Sequence, residues 1–261
     1  MAETFGVDAV SVNIGITAYV VAGAAFIPLG GWLSDRYGAK RIFAIAIVVF
    51  GLASIACAAC TALWQFVLAR VVQGAGGALM VPVGRIIVLK NAGKQDLMRA
   101  TALITWPALL APVIAPVLGG ALTTWYGWEW IFLLNAPLAL TGTVLVLAYV
   151  PSVRDSEPKP LDRVGTVLIV TSLSLTIYGL SELAQPSLIG LDLALPAVGL
   201  LVGVGGRAVV PAGRVPPLVG LGPLRVPTFA AASLHAGNLI RLAISATPFL
   251  LPLMLQEAWG G

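Results

Sequence analysis

Residues 31–41 read Gly31-Trp32-Leu33-Ser34-Asp35-Arg36-Tyr37-Gly38-Ala39-Lys40-Arg41. This is the first dense cluster of charge in a very apolar chain, and it separates two runs long enough to cross a bilayer. A connection this short predicts that the flanking segments are antiparallel neighbours. Gly31 and Gly38 suit a tight bend between closely approaching helices. Asp35 has Arg36, Lys40 and Arg41 close by in sequence, so its carboxylate is expected to pair with one of them or with a helix N-terminus. Composition alone makes the stretch a positively charged turn at a membrane face.

Apolar residues fill 59% of the 261 positions, charged residues only 10%, and mean hydropathy is +0.97. A soluble domain carries roughly a quarter charged residues. The chain is therefore expected to be an all-α, polytopic membrane protein. Apolar runs of about 20 residues fall near 10–32, 42–61, 66–89, 101–123, 130–150, 164–184, 188–206 and 228–254, which predicts about eight transmembrane helices. Of the fifteen Lys and Arg, all but Arg70, Arg85 and Arg241 fall in alternate loops. Those loops are expected to be cytoplasmic, which puts the Met1 end outside. Trp64, Trp125, Tyr126, Trp128 and Trp130 would then mark the outer boundary, and Trp32, Tyr37 and Tyr149 the inner one. Most basic residues fall in loops of this kind, so despite the net charge of +4 nucleic acid is not an expected partner. The opening residues lack the basic region of a secretory signal.

The third apolar run contains Arg70-Val-Val-Gln73-Gly74-Ala-Gly76-Gly77, then Pro82 and Arg85. Arg70, Gly74, Gly77, Val81 and Arg85 share one broad helical face. An arginine inside a span is costly unless it faces protein or a water-filled cavity. The same pattern also fits a packing face, with glycines for close approach and arginines snorkelling to either boundary. In the fourth run Pro112, Pro116, Gly119 and Thr123 fall on one face, as either a hinge seam or a bent packing helix. Cys57 and Cys60 sit in an apolar helix without an electropositive setting, which predicts small packing residues and no redox pair. One His and two helical Cys cannot build a metal cluster, and no phosphate loop or nucleophile pair occurs. No cofactor is expected, and the chain does not read as an enzyme.

Three ordered stretches carry a family resemblance. Gly31-x-Leu-Ser-Asp-Arg-x-Gly-x-Lys-Arg41 resembles the signature between the second and third helices of the major facilitator superfamily. Arg70-x-x-Gln-Gly-x-Gly-Gly-Ala78 resembles its fourth-helix motif, and Ala115-Pro116-Val-Leu-Gly119-Gly120 its antiporter motif, with Ala115 replacing the first glycine. Trp128-Glu129-Trp130-Ile-Phe132-Leu-Leu-Asn135-Ala-Pro137 is similar to a run in the fourteen-helix drug/proton antiporters of the EmrB/QacA type, with Glu129 replacing a basic residue. Residues 247–256 resemble the ninth helix of that branch, MdtD-like efflux proteins in particular.

The resemblance implies a major facilitator fold lacking its first helix and most of its second half. Residues 1–150 would form a partial N-terminal bundle, 151–163 a cytoplasmic linker and 164–206 two accessory helices. A second linker would cover 207–227, and 228–261 would open the C-terminal bundle. The implied function is proton-coupled export of drugs or amphipathic small molecules across a bacterial-type plasma membrane. Gly31, Asp35, Arg36, Gly38 and Arg41 would form the cytoplasmic gate. Arg70, Gln73 and Gly74 would serve proton coupling or the cavity, and Pro112, Pro116, Gly119 and Gly120 the hinge. His235, Asn238 and Arg241 give the last span a polar stripe, more readily read as packing than as a proton path. The spans between residues 9 and 150 contain no Asp or Glu, which leaves Arg70 without an evident acidic partner. The expected partners are the lipid bilayer, protons and an amphipathic substrate. The rival readings are a transport-incompetent fragment, assembling at most with a polypeptide that supplies the missing half, and an uptake carrier for a small metabolite. On the fragment reading, Gly74 and Gly77 are expected to face lipid, and coupled export by the chain alone is not expected.

Overall fold

A computed structural model describes residues 1–93, 95–152, 160–183, 191–209 and 228. The expected last span, with His235, Asn238 and Arg241, lies outside the described residues, as do the linkers 153–159 and 210–227. Helices account for almost all of the rest. They are α1 (Ala2–Phe5), α2 (Ala9–Phe26), α3 (Leu29–Tyr37), α4 (Ala39–Ala58) and α5 (Leu63–Asn91). There follow α6 (Leu97–Trp125), α7 (Glu129–Leu133), α8 (Asn135–Tyr149), α9 (Arg163–Leu183) and α10 (Leu191–Val209). Apolar segments in a bilayer must satisfy their own backbone hydrogen bonds, and the helix does this within one segment.

Four stretches among the described residues are long and apolar enough to cross a membrane: Ala39–Ala58, Leu63–Asn91, Glu129–Tyr149 and Arg163–Ser181. Ser11–Phe26 and Leu29–Tyr37 make a fifth if counted together, although they meet at 55°. The chain is thus a multi-pass, all-helical membrane protein. The span expected near 10–32 is thus broken into two helices. Pro28 has no N–H to continue the ladder, so α2 ends at Phe26 and a separate helix begins at Leu29. Pro137 similarly divides α7 from α8, since it cannot donate to the carbonyl four residues before it.

The reading of 31–41 as an irregular turn is also corrected. Leu29–Tyr37 is helical, so Gly31 lies inside α3, where a Cβ would meet open space. The whole reversal falls on Gly38, at φ 90° and ψ 131°, a backbone setting that side chains of L-residues resist. Its N–H donates to the Ser34 carbonyl at 2.9 Å, and its carbonyl accepts from Ile42 N–H at 3.1 Å. One residue therefore ends α3 and starts α4.

Residues 1–91 and 128–209 belong to one compact unit, and α6 with its flanks at 92–127 belongs to another. In the first unit α5 packs against α2 and α4, α4 against α8, and α9 against α10 and α2. The closest approach of α4 and α5 is at Gly76, where a Cβ would sit 2.9 Å from the Phe50 nitrogen. A Cβ on Gly74 would collide with the Tyr19 carbonyl of α2, and one on Gly77 would stand 3.0 Å from the Tyr19 hydroxyl. The glycine face of α5 is thus covered by α2 and α4, which corrects the expectation that it meets lipid. The face does not stay buried along its length, because Val81 and Arg85 are exposed. Large apolar side chains such as Leu52, Leu68, Leu138 and Leu140 point outward from this unit, as suits a lipid-facing surface. In α6, Pro107, Pro112 and Pro116 lie within one continuous helix, and the Thr123 hydroxyl reaches the Gly119 and Gly120 carbonyls at 2.9 Å.

Candidate functional site

The centre of the first unit is a polar chain inside an apolar shell. Arg70 projects from α5 between α2 and α7, and its guanidinium carbon lies 4.3 Å from the centre of the Tyr19 ring and 5.7 Å from that of Phe132. Both distances are within cation–π range. Its Nε donates to the Gly15 carbonyl at 3.3 Å, and Nη1 donates to Gln73 Oε1 at 2.6 Å. Gln73, 2% exposed, passes the connection on, its Nε2 donating to Ser54 Oγ at 2.6 Å. The Ser54 hydroxyl in turn donates to the Phe50 carbonyl at 2.8 Å. Cys57 Sγ, wholly buried, approaches Gln73 Oε1 at 3.9 Å. From Arg70 through Gln73 and Ser54 to the Phe50 carbonyl each donor points away from the cation, so each of these bonds polarises the next in the favourable sense. The same order holds the Gln73 amide with its oxygen toward Arg70.

Arg70 thus packs against α2 and α7 within the unit. No carboxylate among the described residues pairs with it. The expectation that the helices from 9 to 150 lack acidic residues is corrected, because Asp35 lies in α3 and Glu129 opens α7. The network opens on a cavity of about 320 Å³. Tyr19, Phe50, Phe66 and Phe132 supply its rings, while Arg70, Gln73 and Asn135 supply its polar groups. Its upper wall continues into an aromatic cluster in which Phe5, Phe66, Trp128 and Phe132 meet at centroid separations of 5.5–6.3 Å. Trp128 is thus part of the packing, and its Nε1 donates to Thr4 Oγ1 at 3.2 Å.

A second cluster gathers at the opposite end of α5. Asp35 pairs with Lys90 of α5, Oδ1 to Nζ 3.4 Å, and with none of the three nearby basic residues proposed from sequence. Those three are engaged elsewhere or exposed. Arg36 lies 5.5 Å from the Trp32 ring and 5.8 Å from that of Tyr37, and Lys40 Nζ donates to the Leu147 carbonyl at 2.9 Å, while Arg41 is exposed. Helical geometry explains the change. Asp35 is in the last turn of α3 and its side chain meets Lys90 of α5, while Lys40 and Arg41 start a new helix past Gly38.

Arg70, Gln73 and Gly74 are brought together as one centre, and Gly38, Asp35 and Arg36 as another. Gly31 and Arg41 take no part in the contacts of the second. Sequence reasoning missed Ser54, Tyr19 and Lys90. Ser54 was detectable as a hydroxyl within an otherwise apolar span, where a polar group must find a partner. Nothing in the local sequence around Tyr19 or Lys90 marks either residue. Among the described residues no three His, Cys, Asp or Glu side chains are grouped to hold a metal ion.

A family profile described as the Major Facilitator Superfamily matches residues 1–259. A protein of Serratia proteamaculans bearing the name multidrug resistance protein MdtD is 34% identical over 263 residues, covering all of this chain and 54% of that protein. Proteins of the same name from Klebsiella pneumoniae strain 342 and Salmonella enteritidis PT4 are 34% and 33% identical over 267 and 262 residues. Each match again covers the whole of this chain and 55% of the relative. The chain spans about half the length of the curated relatives it matches.

Proposed function

Because this chain belongs to the Major Facilitator Superfamily, we propose that it serves proton-coupled export of amphipathic small molecules by alternating access. The observation that carries this reading is the Arg70 centre. A half-buried cation is held by hydrogen bonds and ring faces, without a carboxylate among the described residues, at the edge of a largely apolar cavity. A guanidinium keeps its proton at any physiological pH. Arg70 is thus suited to sense the charge of a proton carrier or a substrate, and not to be the carrier itself. The names of the relatives favour drugs over nutrients as cargo.

In this reading the Asp35–Lys90 pair and the Lys40 contact with Leu147 form a latch at the cytoplasmic face. Its support is that Lys40 and Lys90, drawn from two different basic loops, meet their partners at one end of the bundle. Cysteines placed at Gly93 and Thr124, both exposed, in a background lacking Cys57 and Cys60 test the sidedness. A membrane-impermeant thiol reagent is expected to label only the second in intact cells. Labelling of the Gly93 position from outside overturns the orientation.

The transport reading is tested by joining the chain to the complementary half of the Serratia proteamaculans protein and measuring efflux from sealed vesicles with an imposed pH gradient. Efflux of a fluorescent amphipathic probe is expected to follow the gradient and to be lost on Arg70→Ala. Efflux that ignores the gradient, or that survives Arg70→Ala at equal protein level, sinks the coupled mechanism.

A further inference from the structure

We propose that the cavity at Arg70 is a subsite for an organic carboxylate carried on a small aromatic or otherwise apolar body. The inference rests on the transport reading above and names the substrate class of the same cavity.

Three observations lead to it. The first is the charge of the lining. Arg70 is the one ionised side chain there, and Gln73 and Asn135 are neutral. A lipophilic cation entering this space meets a like charge with no carboxylate among the described lining residues to offset it, and in a medium of low dielectric that repulsion is strong. An anion meets its complement.

The second is the state of the guanidinium. Arginine has five N–H donors in a planar fork. One is used on the Gly15 carbonyl and one on Gln73 Oε1, so five less two leaves three without an acceptor among the described residues. A planar fork with several free donors matches the two oxygens of a carboxylate. Gln73 does not compete for that ligand, because its own amide N–H is committed to Ser54. It serves as a positioning residue that holds one edge of Arg70, which itself lines the cavity.

The third is the shape and surface of the remaining space. Tyr19, Phe50, Phe66 and Phe132 offer ring contacts around a volume of about 320 Å³. That is at the lower end of the range for small-molecule sites, which favours a compact fused ring over a large multi-ring drug.

The test is equilibrium binding to the 261-residue chain in nanodiscs of phosphatidylcholine, with three probes of nearly one shape: 1-naphthoate, 1-naphthamide and 1-naphthylmethylammonium. Naphthoate is expected to bind about tenfold or more tightly than the amide, the margin of a charge-assisted hydrogen bond, with the ammonium probe weakest. This comparison needs no variant. Arg70→Gln is expected to abolish the preference, and Arg70→Lys to retain part of it by keeping the charge without the fork. Equal affinities, preference for the ammonium probe, or no saturable binding by any of the three overturns the proposal. Displacement of naphthoate by phosphatidylglycerol added to the disc also overturns it, by assigning the site to a lipid headgroup. A joined protein that fails to export while the chain still discriminates naphthoate rejects the transport reading and keeps the subsite.

Discussion

The helix α5 carries a cation near each end, and the two meet opposite surroundings. Arg70 lies under the Tyr19 ring, bonded to Gln73 and a carbonyl of α2, and Gln73 is 2% exposed. Lys90 lies at the rim, where its side chain is 28% exposed and touches an Asp35 that is 35% exposed. The rim pair contains two opposite full charges, whereas the inner centre contains one. Counting charges would make the rim the stronger contact, yet the expected order is the reverse. At the rim, water answers either charge if the pair separates, so such a pair contributes about 0–1 kcal/mol. In the interior nothing replaces a lost partner, and each stranded polar group costs about 1–3 kcal/mol.

The largest expected effect is therefore at Gln73. Gln73→Leu removes the acceptor of Arg70 and the donor to Ser54 together, and is expected to destabilise by about 2–4 kcal/mol. Thermal unfolding of the purified chain in detergent measures it. A loss no greater than that of Lys90→Met breaks the comparison. Ser54→Ala, which removes only the outer link of the same chain, is expected to cost about 1 kcal/mol. If it costs as much as Gln73→Leu, the link from Gln73 to Ser54 is the main support of the centre.

A pair of glycines sharpens the rim side. Gly38 has a positive φ of 90° and Gly31 is inside α3 with open space at its Cβ position. Gly38→Ala is expected to destabilise by about 1–2 kcal/mol. Gly31→Ala is expected to be neutral or to stabilise by about 0.5–1 kcal/mol through helix propensity. Unfolding midpoints that move in the same direction for both variants contradict the placement of the bend at one residue.

The smallest stability effect belongs to the ion pair. Lys90→Met and Asp35→Asn are each expected to change stability by about 0–1 kcal/mol. On the proposed latch, Asp35→Asn nonetheless slows efflux by the joined protein at unchanged membrane level. Undiminished efflux separates the pair from any gating role.

Much of the inner centre was legible from residue order alone. Arg70, Gln73 and Gly74 stand within five positions on one helix, so their grouping is a local matter. The rest was hidden because Gly15 and Ser54, which complete the site, sit 55 and 19 residues from their partners Arg70 and Gln73. The rim misled for the same reason. Arg36, Lys40 and Arg41 are near Asp35 along the chain, but Gly38 sends the last two into another helix, and the carboxylate instead accepts from Lys90, 55 residues away.

By itself the sequence determined an all-helical membrane protein and the approximate limits of its described spans. In a bilayer each segment must close its own hydrogen bonds, so length and apolarity within one segment decide its form. Pro28, Gly38 and Pro137 act at the same local level, each through the torsions or missing donor of one residue. Only the tertiary structure decided which helix covers the glycines of α5, which residue answers Asp35, and what surrounds Arg70. Those outcomes depend on the depth and rotation of one helix against another. Apolar spans are nearly uniform around their circumference, so their composition carries little record of either quantity.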